Sequence, residues 1–203
     1  MKCVQVRFCR LARMSAQNKS PRDEATNMNA ALVFEGNCWK FGHNIPTDMI
    51  TPTHLVLGGM SEMVKHVLEG ANPDFPKNVQ PGDIIVAGRN FGCSSGRAIA
   101  PKALKATGIS VLLAEFFSRT IYRNGYEIGL PILEVPGIHA AVETGHRLRV
   151  DVESGIAENL TTGKLIEGRA PTGFLLDMLK AGGLIPLLKS GSHFFTSEQE
   201  ANR

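Results

Sequence analysis

The sequence predicts an α/β fold with a parallel α/β core and β-rich flanks, and three observations indicate it. First, residues 84–86 form an apolar run, and residues 109–114 form a second, mostly apolar run, of the kind found in strands that are buried on both faces. Second, a helical stretch follows each run, which produces the order strand–helix–strand–helix–strand over residues 83–135. Third, the chain has 21 glycines and only 6% aromatic residues, which is typical of many turns rather than of a helical bundle.

The other elements follow from local patterns in chain order. Residues 31–34 and 38–41 are predicted to be two short strands joined by a turn at Glu35-Gly36-Asn37, followed by a loop over 42–52. Ser61 begins a helix with its apolar side chains on one face, and Gly70 ends it. The later elements are helices at 97–107, 117–126 and 173–180 and strands at 130–135, 148–152 and 155–160, the last two paired across a turn.

Charge and hydropathy limit the classes of protein. No run of 18 apolar residues occurs, so a transmembrane helix is not expected. Residues 1–27 carry a net charge of +4 and the rest of the chain −1, which gives the body no electrostatic reason to bind nucleic acid. Residues 1–27 are predicted to be a disordered extension or an over-long start, with an Arg-rich targeting peptide as the alternative. Residues 28–190 are predicted to form the domain and residues 191–203 a flexible tail.

The cysteines form neither a disulfide framework nor a metal-ligand set. Cys3, Cys9, Cys38 and Cys93 contain no C-x-x-C pair, and two of them lie in the N-terminal segment. This usage is typical of a protein in a reducing, cytoplasmic setting. Any metal that this protein uses is therefore expected to be held mostly by another chain.

The segment 88–97, Gly-Arg-Asn-Phe-Gly-Cys-Ser-Ser-Gly-Arg, connects a buried strand to a helix. Ligands of α/β sheets bind at the carboxyl ends of strands, and the free N–H groups at a helix start favour an anion. Ser94 and Ser95 add hydroxyl groups, and Arg97 can bind a carboxylate through two parallel hydrogen bonds. The segment therefore predicts a small-anion site. The alternatives are a tight turn in which Ser94 or Ser95 caps the helix, and a thiol nucleophile at Cys93.

This segment resembles the Gly/Ser/Arg loop of the swivelling domain in the aconitase superfamily. The resemblance is strongest to the separate small subunits of 3-isopropylmalate dehydratases, in the archaeal-type form shared with homoaconitase. Together the similar blocks cover about residues 28–189, and they imply an aconitase-type swivelling domain with a layered β/β/α arrangement. The three further blocks, in order, are Trp39-Lys40-Phe41-Gly42 with Thr47-Asp48-Met49-Ile50-Thr51-Pro52, then Arg119 with Tyr122-Arg123-Asn124 and Ile128-Gly129-Leu130-Pro131, and then 159–164 with 181–184.

The resemblance implies a hydro-lyase that dehydrates and rehydrates a 2-hydroxy dicarboxylic acid, with 2- and 3-isopropylmalate of leucine biosynthesis as the expected pair. It implies a 4Fe–4S cluster held by a large partner subunit, and no cofactor bound by this chain alone. By position, Ser95 corresponds to the family's serine base and Arg97 to its carboxylate-binding arginine. Asp48 corresponds to an orienting acid, with a turn-forming role as the alternative. Ser94 and Gly96 are expected to take part in substrate binding.

The loop departs from the family pattern F-G-C-G-S-S-R-E-H-A at several positions. Gly96 replaces the second serine, and Ala98-Ile99 replace the Glu-His pair. Ser94 is an additional hydroxyl, which could restore the missing one or shift the base by one place. Phe116 stands where the family often has serine. These changes leave room for a related hydro-lyase that acts on a different diacid.

Val56 and Leu57, in the segment 53–59, are expected to contact the variable end of the substrate. Their apolar side chains suit an alkyl group, whereas a basic residue would suit the extra carboxylate of homocitrate. The alternative for this segment is a buried strand end. Other functions stay open: a small subunit for another alkyl-substituted malate or maleate of the dimethylmaleate type or for homoaconitase, a non-catalytic dicarboxylate-binding module, and a thiol hydrolase that uses Cys93.

Overall fold

The computed structural model describes residues 32–190, and these form one mixed sheet of seven strands with short helices packed against it. The order of the strands across the sheet is β4-β3-β2-β1-β5-β6-β7. The strands are β1 (Val33–Lys40), β2 (Ile84–Phe91), β3 (Val111–Phe117), β4 (Ile132–Glu134), β5 (Arg147–Asp151), β6 (Ile156–Asn159) and β7 (Lys164–Glu167). The helices are α1 (Thr47–Ile50), α2 (Met60–Val64), α3 (Phe75–Asn78), α4 (Ile99–Ala106), α5 (Arg119–Glu127), α6 (Ile138–Ala141), α7 (Phe174–Lys180) and α8 (Leu184–Lys189), with a 3-10 helix at Thr53–Gly58.

The strands β1 to β4 form the parallel half of the sheet. Ile84 of β2 pairs with Cys38 on one side and with Val111 on the other. Residues 84–87 and 111–114 are fully buried, as expected for strands that are covered on both faces. The helix α4 connects β2 to β3, and α5 connects β3 to β4. The predicted strand–helix–strand–helix–strand core is therefore confirmed.

The strands β1, β5, β6 and β7 form the antiparallel half of the same sheet. The first half of β1 pairs antiparallel with β5, and its second half pairs parallel with β2. Leu148 of β5 lies opposite Asn159 of β6, which confirms the predicted pairing of these two strands across a turn. The strand β7 was not predicted, because it is a four-residue edge strand in which Ile166 alone is buried.

The predicted turn at Glu35-Gly36-Asn37 is wrong, because these residues lie within the single strand β1. Gly36 pairs with Leu148 in the ladder with β5. A Cβ atom at position 36 would collide with the carbonyl group of Gly82. The glycine is therefore required by the close approach of another backbone segment and not by a turn.

We expect Gly36→Ala to destabilise the fold by about 1–3 kcal/mol, because the added methyl group must displace the Gly82 carbonyl. That carbonyl also accepts a hydrogen bond from the Ser110 hydroxyl at 2.9 Å, so its displacement disturbs a second contact. Urea unfolding measures the free energy of unfolding. Gly42→Ala is the matched control, since a Cβ atom there has nothing within 4 Å. Equal stability of the two variants would contradict the clash.

The elements around the predicted anion loop have different ends from those expected. The strand β2 continues to Phe91, with Asn90 in the left-handed region at φ 63° where the pairing with β3 shifts. The helix α4 begins at Ile99 rather than at Arg97. Residues 92–98 therefore connect the two as an irregular loop. The short helices α1, α3, α6 and α8 were not predicted, because four to six residues carry too little periodicity to identify a helix.

The extension predicted at residues 1–27 and the tail predicted at residues 191–203 lie outside the described residues. Within residues 32–190, no helix has both the length and the apolar composition needed to cross a bilayer.

Candidate functional site

Two loop segments run side by side beyond the carboxyl ends of β1 and β2. The Gly92 N–H donates to the Ile45 carbonyl at 2.8 Å, and the Thr47 N–H donates to the Cys93 carbonyl at 2.9 Å. These backbone hydrogen bonds continue the parallel pairing of β1 with β2 past the ends of both strands. They place the first turn of α1 next to the loop that follows Cys93, although the two segments are far apart in the sequence.

A cleft between these segments brings Ser95, Arg97 and Asp48 together. Ser95 is half-buried, whereas Arg97 and Asp48 are exposed. The cavity volume is only about 10 Å³, which is room for about one water molecule. A dicarboxylate that touches these residues must therefore extend beyond the surface of this chain. The cleft is lined by Thr47, Asp48, Thr51, Thr53, Val56, Ser95, Arg97 and Ile99.

Ser95 lies in the loop just before α4, and its hydroxyl oxygen faces a backbone donor. The Arg97 N–H donates to the Ser95 Oγ at 3.4 Å. This distance is long for a neutral hydrogen bond, and a negative charge on the Oγ would favour a shorter and stronger one. The helix α4 begins after Ala98 without a side-chain cap. Neither serine therefore caps it, as one of them was expected to do if the loop were only a tight turn. Its positive end favours an anion nearby.

Ser94 has a different environment from Ser95. Its φ of 85° lies in the left-handed region, which favours glycine, and glycine is the residue of the family pattern at this position. Its Oγ lies 3.1 Å from the Oγ1 of Thr47, which is buried. The Ser94 hydroxyl therefore ties the loop to the start of α1, and Ser94 is not one of the residues that line the cleft.

Gly96 is exposed and does not line the cleft. Its carbonyl accepts a hydrogen bond from the Asn124 Nδ2 at 3.3 Å. A Cβ atom at this position would lie 3.4 Å from the Thr120 methyl group, close to ordinary van der Waals contact. The space at Gly96 therefore accommodates a side chain, and the absence of the family's second serine is not imposed by steric crowding.

Asp48 is held at the mouth of the cleft by a side-chain contact. Its Oδ1 accepts a hydrogen bond from the Thr53 hydroxyl at 3.1 Å. Thr53 is the first residue of the 3-10 helix, so this bond links α1 to the segment that was expected to contact the substrate. The other carboxylate oxygen can face a ligand in the cleft while the first one orients the group.

Val56 and Leu57 have different positions on the 3-10 helix. Val56 lines the cleft and is half-buried. Leu57 lies outside the cleft and is 98% exposed, so its side chain has almost no contact with this chain. A fully exposed leucine next to a residue that lines the cleft is an unusual placement, and it suits contact with a ligand or a partner. The expected role of both residues in substrate recognition stays a prediction.

Thr47, Thr51, Thr53 and Ile99 line the cleft but were not singled out from the sequence. The sequence offered a way to find Thr47, since this residue belongs to the Thr-Asp block that matches the family. Ile99 stands at a position of the missing Glu-His pair, so an apolar group now lines the cleft where the family has an ionisable one. Thr51 donates its hydroxyl to the Thr47 carbonyl at 3.2 Å, which is a packing role that no sequence pattern reveals.

The described cysteines do not resemble the ligands of an iron–sulfur cluster. Burial raises the pKa of the Cys38 thiol to about 12, which disfavours the thiolate that metals bind. Cys93 is free and half-buried, and its carbonyl is engaged with Thr47. Among residues 32–190, no group of three or more histidine, cysteine or acidic side chains is arranged to hold a metal ion. The residues of the described domain therefore do not fit a 4Fe–4S cluster.

Comparison with known families gives one family match over most of the domain. Residues 14–136 match the family described as aconitase C-terminal domain. The match includes both loops that form the cleft and all four strands of the parallel half of the sheet.

Individual relatives agree with this match. The chain is 48% identical over 158 residues to the isopropylmalate/citramalate isomerase small subunit of Methanocaldococcus jannaschii, which covers 77% of this chain and 94% of that protein. It is 45% identical over 159 residues to the 3-isopropylmalate dehydratase small subunit of Thermodesulfovibrio yellowstonii, covering 78% and 95% of the two chains. The crystal structure of a 3-isopropylmalate dehydratase chain from Methanocaldococcus jannaschii is similar with a TM-score of 0.74 and 34% identity, over 78% of this chain and 95% of that one.

Proposed function

Because the chain belongs to the aconitase C-terminal domain family, and within it to the small subunits of 3-isopropylmalate dehydratases, we propose that it is one half of a hydro-lyase. The substrate is a 2-hydroxy dicarboxylic acid, and the interconversion of 2- and 3-isopropylmalate in leucine biosynthesis is the reaction. The other half is a large iron–sulfur subunit. The enzyme is active only when both subunits are present.

One observation carries this proposal: a serine, an arginine and an aspartate from two distant segments line the same cleft. Dehydration next to a carboxylate needs a base for the C–H proton and a cation that fixes the carboxylate. Ser95 supplies the base, and Arg97 is placed two residues away to bind the carboxylate through a planar pair of hydrogen bonds. Asp48, oriented by Thr53, positions a polar group of the substrate.

A serine hydroxyl is a poor base in water, so its surroundings must stabilise the alkoxide. The Arg97 N–H already points at the Ser95 Oγ, and the uncapped start of α4 adds the positive end of a helix. The Arg97 guanidinium contributes a full positive charge to the same cleft. These groups stabilise a negative charge most strongly once water is excluded from the cleft.

Exclusion of water requires a second surface, because the cleft of this chain is too small to enclose a diacid. We assign that surface to the large subunit, which would cover Ser95 and hold most of the substrate. We also assign the 4Fe–4S cluster, and with it the loss of the hydroxyl group, to that subunit, since the described residues of this chain do not fit a cluster.

The variable end of the substrate is an alkyl group in this proposal. Val56 in the cleft and exposed Leu57 beside it offer an apolar surface without a charge that could pair with a third carboxylate. The changes at Gly96, Ala98 and Ile99 favour one alternative, a hydratase for another alkyl-substituted malate or maleate. The relative from Methanocaldococcus jannaschii carries citramalate in its name, which indicates that small subunits of this kind serve more than one such diacid.

Anaerobic co-expression with large iron–sulfur subunits tests the proposal. The complex should purify as one species and convert 2-isopropylmalate to its unsaturated intermediate and to 3-isopropylmalate, while each subunit alone is inactive. Citramalate and dimethylmaleate in the same assay separate the two substrate alternatives. A chain that binds dicarboxylates alone, yet gives no turnover with any large subunit, would instead support the non-catalytic module. Activity of the isolated chain that Cys93 alkylation abolishes would support the thiol hydrolase.

A further inference from the structure

A second pocket lies at the carboxyl ends of β3 and β4, against the first turn of α5. Its cavity volume is about 420 Å³, much larger than the cleft at Ser95 and open to solvent on one side. Arginine and aromatic side chains dominate its lining. The residues that carry the argument are Phe116, Arg119, Tyr122, Arg123, Glu134 and Arg169.

The pocket carries an excess of positive charge. The Arg169 guanidinium pairs with the Glu134 carboxylate at 3.1 Å, and the other oxygen of this carboxylate accepts the Phe117 N–H at 3.3 Å. Glu134 is thereby fully engaged. Within residues 32–190, no carboxylate forms an ion pair with Arg119 or Arg123. Both guanidinium groups are exposed, and neither has a counter-charge among the described residues.

The stability of the helix α5 does not explain why arginines occupy positions 119 and 123. Arg119 is the first residue of α5, directly after the Ser118 cap, where the positive end of the helix disfavours a cation. Arg123 lies four residues later on the same face, and like charges at this spacing repel each other. The helix dipole favours an acidic residue in this first turn, and α5 has none there. A placement that costs local stability is expected where a ligand or partner supplies the compensating charge.

The helix α5, which supplies three of the pocket residues, also contacts the loop that carries Ser95. The Asn124 Nδ2 on α5 donates to the Gly96 carbonyl at 3.3 Å, so α5 and the loop are in direct contact. Both the cleft and the pocket lie at the carboxyl edge of the parallel strands. A surface that covers the cleft and extends over α5 therefore reaches Arg119 and Arg123. Phe116, at the rim, is 49% exposed and provides the kind of aromatic group that anchors protein interfaces.

We propose that this pocket is a docking site for an acidic segment of the iron–sulfur partner subunit. The inference rests on the function proposed above and names the surface by which that partner is recognised. Arg119 and Arg123 bind the carboxylates of the segment, and Phe116 packs against its apolar side. Opposite charges at the rim of an interface mainly accelerate association and select the partner. The docked segment holds the partner surface in register over Ser95.

The test is the association of the two purified subunits under anaerobic conditions at low and high NaCl concentrations. The double variant Arg119→Glu and Arg123→Glu should associate at least about tenfold more slowly at low salt, with a much weaker dependence on salt than wild type. Its fold should persist, since both side chains are exposed and glutamate suits the first turn of a helix. At saturating concentrations of the variant, kcat should return to within about twofold of wild type, because docking and not chemistry is impaired.

Arg149→Glu on β5 is the control: it reverses one exposed arginine of the antiparallel half, which is half of the charge change in the double variant. It should alter association by less than about twofold. An association rate and salt dependence like wild type in the double variant would overturn the docking inference while the hydro-lyase function stands. An equal loss in the Arg149 variant would overturn it as well, because net charge alone would then explain the effect. A wild-type chain that binds no iron–sulfur subunit would overturn both proposals.

Discussion

Ser95→Ala is expected to lower kcat of the reconstituted enzyme by about 10²–10⁴-fold, the range typical for loss of a general base. Alanine removes the only oxygen through which this residue can accept the substrate proton. The change is small and the side chain is half-buried, so folding and assembly should be preserved. Steady-state assays with a fixed excess of the large subunit measure kcat and KM. The affinity between the subunits, measured separately, should remain that of wild type.

Ser94→Gly is the comparison that identifies the base. Glycine suits the φ of 85° better than serine does, so this variant removes the hydroxyl without adding backbone strain. We expect a loss of no more than about tenfold in kcat, from the missing contact with Thr47 that positions the loop. The opposite ranking, with Ser94→Gly inactive and Ser95→Ala active, would move the base to Ser94. Full activity in both variants would contradict a serine base.

The strand, loop and helix around Ser95 could be predicted from the sequence, because local residue patterns determine them. A continuous apolar run predicts a buried strand, glycine and serine predict the break, and the following periodicity predicts α4. Because ligands of α/β sheets bind at the carboxyl ends of the strands, the loop after this strand is then expected to lie at a ligand site. The error of two residues at the start of α4 arises because Arg97 and Ala98 are compatible with either loop or helix.

Local sequence patterns could not predict that Asp48 lies in the same cleft as Ser95. It depends on hydrogen bonds such as the one from the Gly92 N–H to the Ile45 carbonyl, which join segments almost fifty residues apart and follow from the parallel pairing of β1 with β2. The family resemblance suggested Asp48, and the fold supplies the physical reason. The glycine in β1 illustrates the same limit, because the sequence does not show that the Gly82 carbonyl approaches position 36.

The exposure of Leu57 and Phe116 likewise depends on what lies outside this chain. An apolar side chain in a sequence pattern predicts burial, and periodicity cannot distinguish a core position from a surface that a partner covers. Both residues are exposed in the folded domain: Leu57 follows Val56 of the cleft, and Phe116 lines the pocket that contains Arg119 and Arg123. In the proposed assembly, their contacts belong to the other chain.

Arg97→Lys is expected to raise KM by about 10–100-fold, the effect of losing one of two charge-assisted hydrogen bonds to a carboxylate. Lysine keeps the positive charge but offers a single point contact, so long-range attraction of the substrate remains while the planar geometry is lost. A decrease in kcat should accompany the rise in KM, because in the proposed mechanism the guanidinium also stabilises the Ser95 alkoxide. Initial rates over a range of 3-isopropylmalate concentrations separate the two effects.

The control for this change is Arg89→Lys, since the Arg89 side chain is 78% exposed and pairs with Glu115 on the surface of the sheet. Lysine keeps the positive charge that faces Glu115, and Arg89 does not line the cleft, so KM and kcat should stay within about twofold of wild type. If Arg97→Lys behaves like this control, the guanidinium does not hold a substrate carboxylate. The cleft would then bind the diacid through the amides at the start of α4 alone. If KM rises without any change in kcat, Arg97 binds the substrate equally in the ground and transition states, and the alkoxide of Ser95 must be stabilised by the partner.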